Sequence, residues 1–153
     1  MLPWFKKKAI DFFSIQEKER IVAAIKDAEH QTSGEIRIHI ESKCLSNTPL
    51  NRAVELFSSL EMYKTNGRNG VLIYVALKSK KLAIYGDEGI HQQIGKEFWN
   101  NQIEMMVHYF NANDFLEGIV ATVGEVGNVL KEHFPYDNKN DFNELPDDIL
   151  FGI

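Results

Sequence analysis

From Glu35 to Glu41 the chain alternates without a fault: Ile36, Ile38 and Ile40 point one way, and Arg37, His39 and Glu41 the other. A period of two marks a strand with one apolar face. The polar face predicts either exposure to solvent or a groove along the strand. A second pattern runs from Val71 to Leu77, where seven apolar residues follow one another. That length suits a buried strand. The basic turn Lys78 to Lys81 separates it from a third apolar run, Leu82 to Tyr85. Between the first two strands Thr48-Pro49 opens a helix, threonine as cap and proline in the first turn. Ala53, Leu56, Phe57 and Leu60 form its apolar stripe. Strand, helix and strand at this spacing predict a right-handed βαβ unit with parallel strands. The turn at 78–81 is too short for another crossover, so the third strand must run antiparallel and the sheet is mixed.

Helices flank this unit. Ser14 and Glu17 fit a capping box, and Ile15, Ile21, Val22, Ile25 and Ala28 give a buried stripe ending near Gln31. After Gly86-Asp87-Glu88-Gly89, a stripe of Ile94, Phe98, Ile103, Met106, Val107 and Phe110 predicts one long helix. Asn111-Ala112-Asn113 breaks it. Asp114 with Glu117 predicts a second capping box, and Phe115, Ile119, Val123, Val126 and Leu130 line the inner face of the last helix. Gly118, Gly124 and Gly127 each cost that helix up to about 1 kcal/mol, which close approach to a neighbouring element should offset. The pattern is that of an α/β domain over residues 1–135, with an N-terminal arm. An acidic tail, 136–153, follows and is expected to be mobile in part; Phe142, Leu145, Ile149, Leu150 and Phe151 are its candidate anchors.

Composition narrows the function classes. The 153 residues carry a formal charge of −5, which argues against nucleic acid as a partner and favours cations. One cysteine, Cys44, excludes an intrachain disulfide and a multi-cysteine metal site. No apolar run reaches the roughly 18 residues of a membrane span. Met1 to Phe13 reads as an arm packed through Trp4, Phe5, Phe12 and Phe13 rather than as an interfacial anchor, because it is short and contains Asp11. No secretory leader precedes the first helix, so a cytoplasmic location is expected and membrane association is not.

Familiar motifs are near-misses. Gly89 to Glu97 has one residue too many between its glycines for a phosphate loop, and Glu97 where the magnesium-binding hydroxyl belongs. Asp137 to Asp148 fails as a calcium hand, with Lys139 at the third position and Phe142 at the sixth. There is no His-Glu-x-x-His and no Gly-x-Ser-x-Gly. His39 and Glu41 share a strand face, as alternate residues of any strand do. What remains is oxygen-rich: Glu35 and Asn69 at strand starts, Asp87 and Glu88 at a strand end, Asp114 at a helix start. Brought together beyond the strands, these groups would suit a hard divalent cation, calcium above all. Capping and turn chemistry alone also account for Asp87, Asp114 and Glu117. No catalytic residue and no organic cofactor-binding residue is assigned.

Four pieces in order resemble the TPM domain family: Ser-Gly-Glu-Ile at 33–36, Asn-Gly-Val-Leu-Ile at 69–73, Ile-Tyr-Gly-Asp-Glu-Gly-Ile at 84–90, and Phe-Asn-Ala-Asn-Asp-Phe-Leu-Glu-Gly-Ile at 110–119. The tail Asn-Glu-Leu-Pro-Asp-Asp-Ile at 143–149 is similar to that of a bacterial cytosolic branch. The family includes thylakoid-lumen proteins of photosystem repair, a receptor-accessory protein and many bacterial proteins. The resemblance implies a three-layer α/β/α sandwich with an acidic cleft. It implies two functions: an acid phosphatase with bound calcium, or an accessory protein with no known chemistry. The residues themselves give two matching expectations: a binding module that holds a divalent ion and presents a surface to a protein partner, or a hydrolase of phosphomonoesters acting through the metal, with Arg37 or Arg68 to hold the phosphate. Two positions depart from the family pattern: Asn69 replaces a frequent Asp, and Asn113 a frequent Gly. The first removes a charge from the expected metal site.

Overall fold

A computed structural model describes residues 8–136 and 148–152. Helix α1 (Ile15–Glu29) leads to strand β1 (Glu35–Glu41), helix α2 (Pro49–Ser59) and strand β2 (Gly70–Ala76). Strand β3 (Lys81–Gly86), the short helix α3 (Glu88–His91) and the long helices α4 (Lys96–Asn111) and α5 (Phe115–His133) follow. A two-residue strand, β4 (Leu150–Phe151), closes the order. The sheet runs β3-β2-β1-β4. β1 pairs in parallel with β2, Glu35 opposite Gly70, and β2 pairs antiparallel with β3. The βαβ unit and the mixed sheet are therefore as the spacing predicts. Strand β4 has no period to announce it; it lies parallel to β1, with Leu150 opposite His39.

Two apolar clusters make the layers of an α/β/α sandwich. Ile36, Ile38, Ile40, Val71, Ile73 and Val75 face α1, α4 and α5. Leu72, Tyr74, Ala76 and Ala83 face α2 through Ala53, Leu56 and Phe57. Caps set the helix starts where the sequence places them for α1, whose Ser14–Glu17 box is complete, and for α2, where Thr48 Oγ1 accepts from Asn51 N–H at 3.1 Å. Phe12 and Phe13 pack edge-on to one another, and Phe12 also on Phe115. Trp4, Phe5, Phe142 and Leu145, the failed calcium hand and the expected tail mobility concern residues outside the described ones, except for the tail's end.

Four expectations need correction. The polar face of β1 is not open to solvent: all seven residues of the strand are buried. Glu41 there is paired with Arg52 and Tyr74, while Arg37 Nε has no hydrogen-bond partner among the described residues. The Asp114–Glu117 box does not form: Asp114 makes no side-chain cap, and Glu117 instead takes a two-pronged bond from Arg20 of α1. Ile15 and Val107 sit on helical stripes yet are 70% and 41% exposed, because the stripes drift past the edge of the contact. Of the three glycines in α5, two have the predicted close neighbour: a Cβ at Gly118 would meet Tyr109 Cβ at 2.8 Å, and one at Gly127 would meet Ala28 Cβ at 2.7 Å. Gly124 has nothing within 4 Å.

Candidate functional site

Two polar clusters sit at opposite ends of the sheet. At the first, β1 and β2 begin and β3 ends. The backbone fastens three of the predicted residues there: Glu35 N–H donates to the Asn69 carbonyl at 3.3 Å, and Asp87 N–H to the Gly70 carbonyl at 3.0 Å. Glu88 follows as the first residue of α3, which Asp87 caps, its Oδ1 accepting from Glu88 N–H at 2.8 Å. Glu35, Asn69 and Asp87 are each at most 3% exposed, whereas Glu88 is exposed.

Arg68 holds this end together. Its Nε donates to Asp87 Oδ2 at 2.7 Å and its NH2 nitrogen to Asp87 Oδ1 at 2.8 Å, a fork matching a carboxylate. The NH1 nitrogen reaches Glu88 Oε1 at 3.0 Å. The pairing with Asp87 raises the Arg68 guanidinium above its ordinary range. Arg68 itself takes φ 48°, a left-handed conformation uncommon outside glycine. The strain is held by neighbours: Arg68 N–H donates to Thr65 O, Arg68 O accepts from Gly89 N–H, and Thr65 Oγ1 accepts from Asn69 N–H. Gly89 has to be glycine, since a Cβ there would overlap the carbonyl oxygens of Gly67 and Arg68. Asn69 Nδ2 donates to Ser33 Oγ at 3.4 Å, while its buried Oδ1 has no hydrogen-bond partner among the described residues.

Asp114 is elsewhere. It lines a hollow with Lys80, which lies in the turn after β2, so the length of a seven-residue strand, roughly 20 Å, separates it from Asp87. Thus four of the five predicted residues share one end and Asp114 the other. Among the described residues, no three His, Cys, Asp or Glu side chains gather into a ready metal site. Calcium needs six to eight oxygens. The donors at the Asp87 end are suitable in kind, carboxylate and amide oxygens, but a guanidinium occupies the carboxylate. They fit a cation only once Arg68 has swung away.

The second cluster lies where β1 and β2 end. Glu41, 1% exposed, accepts from Arg52 Nε and NH2, both at 3.0 Å, and from the Tyr74 hydroxyl. His39 stacks on Tyr74, with its Nε2 3.5 Å from Glu41 Oε1. Gly152 lays bare backbone against both, since a Cβ there would meet Glu41 at 2.8 Å and His39 Nε2 at 3.1 Å. Burial would raise the Glu41 carboxyl; Arg52 and Tyr74 outweigh it, and the pKa is lowered. Burial lowers His39, so the ring is held neutral. Burial, then Glu41 and Cys44, push the Tyr74 phenol far up. The sequence shows the His39–Glu41 half of this network but nothing that pairs Glu41 with Arg52 eleven residues on, or with a tyrosine inside an apolar run.

This fold and order of elements agree with the comparisons. A profile of the TPM domain matches residues 7–129. The chain belongs to the TPM domain family. The BA42 protein of the psychrophilic bacterium Bizionia argentinensis is 38% identical, with a TM-score of 0.86 over 93% of this chain and 97% of that one. Two further solved structures share the fold: the N-terminal domain of cg2496 from Corynebacterium glutamicum and that of a protein from P. gingivalis. They are 15% and 16% identical, with TM-scores of 0.64 and 0.67; each covers 84% of this chain, which spans 84% and 83% of theirs. A comparison with curated protein sequences returns no match. Among the described residues no helix is long and apolar enough to cross a membrane.

Proposed function

We propose that this TPM domain is a binding module whose working end is the Arg68–Asp87 cluster, and that its ligand there is a divalent cation, calcium before others. The observation that carries this reading is the buried Asp87 carboxylate held by a guanidinium that is itself 42% exposed, with Asn69 Oδ1, without a hydrogen-bond partner among the described residues, at the same end of the sheet. A cation and Arg68 compete for the same two oxygens. Binding would exchange an internal counter-charge for an external one, release Arg68 into solvent and give Asn69 Oδ1 a partner. Glu88 and Glu35 are the further oxygen donors at this end; Asp114 has no part in it. The freed arginine and the reordered 65–69 loop would then present a changed surface to a protein partner. A phosphomonoester hydrolase ranks second, because Arg68, the residue to hold a phosphate, is already committed to two carboxylates.

Calcium titration of metal-free protein, read by residue-resolved NMR, tests the proposal. Saturable shifts clustered at Arg68, Asn69, Asp87 and Glu88 are expected. Arg68→Gln, which removes the competitor, should tighten binding, and Asp87→Asn should abolish it. Diffuse shifts, or an Arg68→Gln protein that binds more weakly, would refute the exchange.

A further inference from the structure

We propose that the free edge of β3 takes up an extended peptide segment as an added strand, its side chains apolar except for one carboxylate. The two edges of the sheet are treated differently. At the β1 edge, Ile36 N–H donates to Glu29 Oε2 at 2.7 Å, and β4 pairs with His39 and Ile40. At the β3 edge no strand lies among the described residues. The bond from Asp87 N–H to Gly70 O makes that pair a hydrogen-bonded one, and antiparallel pairs alternate. Leu72–Tyr85, Tyr74–Ala83 and Ala76–Lys81 are then bonded pairs too, and the N–H and C=O groups of Leu82, Ile84 and Gly86 point outward. Such a row is a template for another strand, and proteins usually blunt it with proline, charge or a bulge. Beyond Lys81, β3 reads Leu-Ala-Ile-Tyr-Gly and carries neither proline nor charge.

A groove of about 630 Å³ runs along this edge between the first turns of α2 and α4, walled by Leu82, Ile84, Ile94, Trp99 and Ile103. Charge selects its occupant. In a chain with 22 acidic and 17 basic residues, none of the described residues lining the groove is Asp or Glu, and the ionisable ones include Lys96 and His91. Helix α4 starts at the groove on Gly95 without any side-chain cap. Its first amides and Lys96 therefore favour a carboxylate at the same spot. Strand addition of this kind takes affinity from the main chain and specificity from alternate side chains.

Heptapeptides selected by phage display on the immobilised full chain, resynthesised and titrated into labelled protein, test this. Selected peptides should alternate apolar residues and carry one Asp or Glu. Their binding should shift Leu82, Ile84, Gly95 and Lys96 and slow hydrogen exchange at the Leu82 and Ile84 amides. Lys96→Glu, an exposed first-turn change that suits the helix dipole, should weaken binding roughly ten-fold and leaves the Arg68–Asp87 pair untouched. Failure to select any saturable binder, or shifts without exchange protection at Leu82 and Ile84, would overturn the proposal. So would the same protection appearing without peptide in a concentration-dependent dimer, which would give the edge to a second copy.

Discussion

Replacing Arg52 by methionine isolates the buried charge at Glu41. Methionine keeps most of the apolar stem of Arg52 and removes both 3.0 Å bonds to a carboxylate that is 1% exposed. The Tyr74 hydroxyl remains, but one neutral donor does not balance a buried anion. Breaking such a pair from one side typically costs 3–5 kcal/mol; since the Arg52 side chain is 20% exposed and water can follow it, about 3 kcal/mol is expected at pH 7. The cost should depend on pH in a set direction. In the parent protein the Glu41 pKa is lowered on folding, so its contribution is present above the unfolded value, about 4.3, and is lost as pH falls through the folded value. In Arg52→Met, burial dominates and raises the Glu41 pKa, so acidification protonates the carboxyl and relieves the variant. The gap between the two proteins should narrow from pH 7 to pH 4. Urea unfolding followed by circular dichroism at both pH values measures it. A difference below about 1 kcal/mol at pH 7, or one that does not change with pH, would refute the account.

The other predictions concern single contacts. His39→Gln should flatten the loss of stability on acidification below about pH 6.5, because a ring held neutral by burial stabilises the fold above its unfolded pKa and stops doing so as pH falls towards its lowered folded value; urea midpoints across pH 5 to 7.5 read this. Gly89→Ala should cost about 1–3 kcal/mol and shift the amides of Gly67 and Arg68, the carbonyls its methyl would strike. Ile119→Ala, fully buried, should cost about 3 kcal/mol, whereas Val107→Ala should stay within about 0.5 kcal/mol although both lie on helical stripes. Glu117→Gln should leave the urea midpoint unchanged within error, because its bond to Arg20 is exposed on both sides.

How much of this was legible in the sequence follows from the range of each interaction. The period of two at 35–41, the four-residue turn and the Ser14 and Thr48 caps are local, and the structure repeats them. Strand β4 was illegible because two residues carry no period and its partner is more than a hundred residues away. The capping box at Asp114 failed for the same reason in reverse: a local pattern was outbid by Arg20, 97 residues distant. Glu35, Asn69, Asp87 and Glu88 lie at one end of the sheet, since the register of a βαβ unit with a hairpin fixes which strand ends coincide. Asp114 sits on a helix whose docking no local rule determines.

The two charge clusters then separate by the same reasoning. Glu41 is enclosed, has three donors and is closed over by Gly152; its partners hold α2 to the β1–β2 pair, and any exchange of partner would expose a buried anion. Arg68 is half-exposed, and its bonds to Asp87 and Glu88 hang on a left-handed residue that is not glycine. A strained backbone kept by surrounding hydrogen bonds, and a counter-charge able to leave without unmaking the core, are what a responsive site requires. The counter-charge at Asp87 can leave and the one at Glu41 cannot, which is why the proposed function is placed at the Asp87 end.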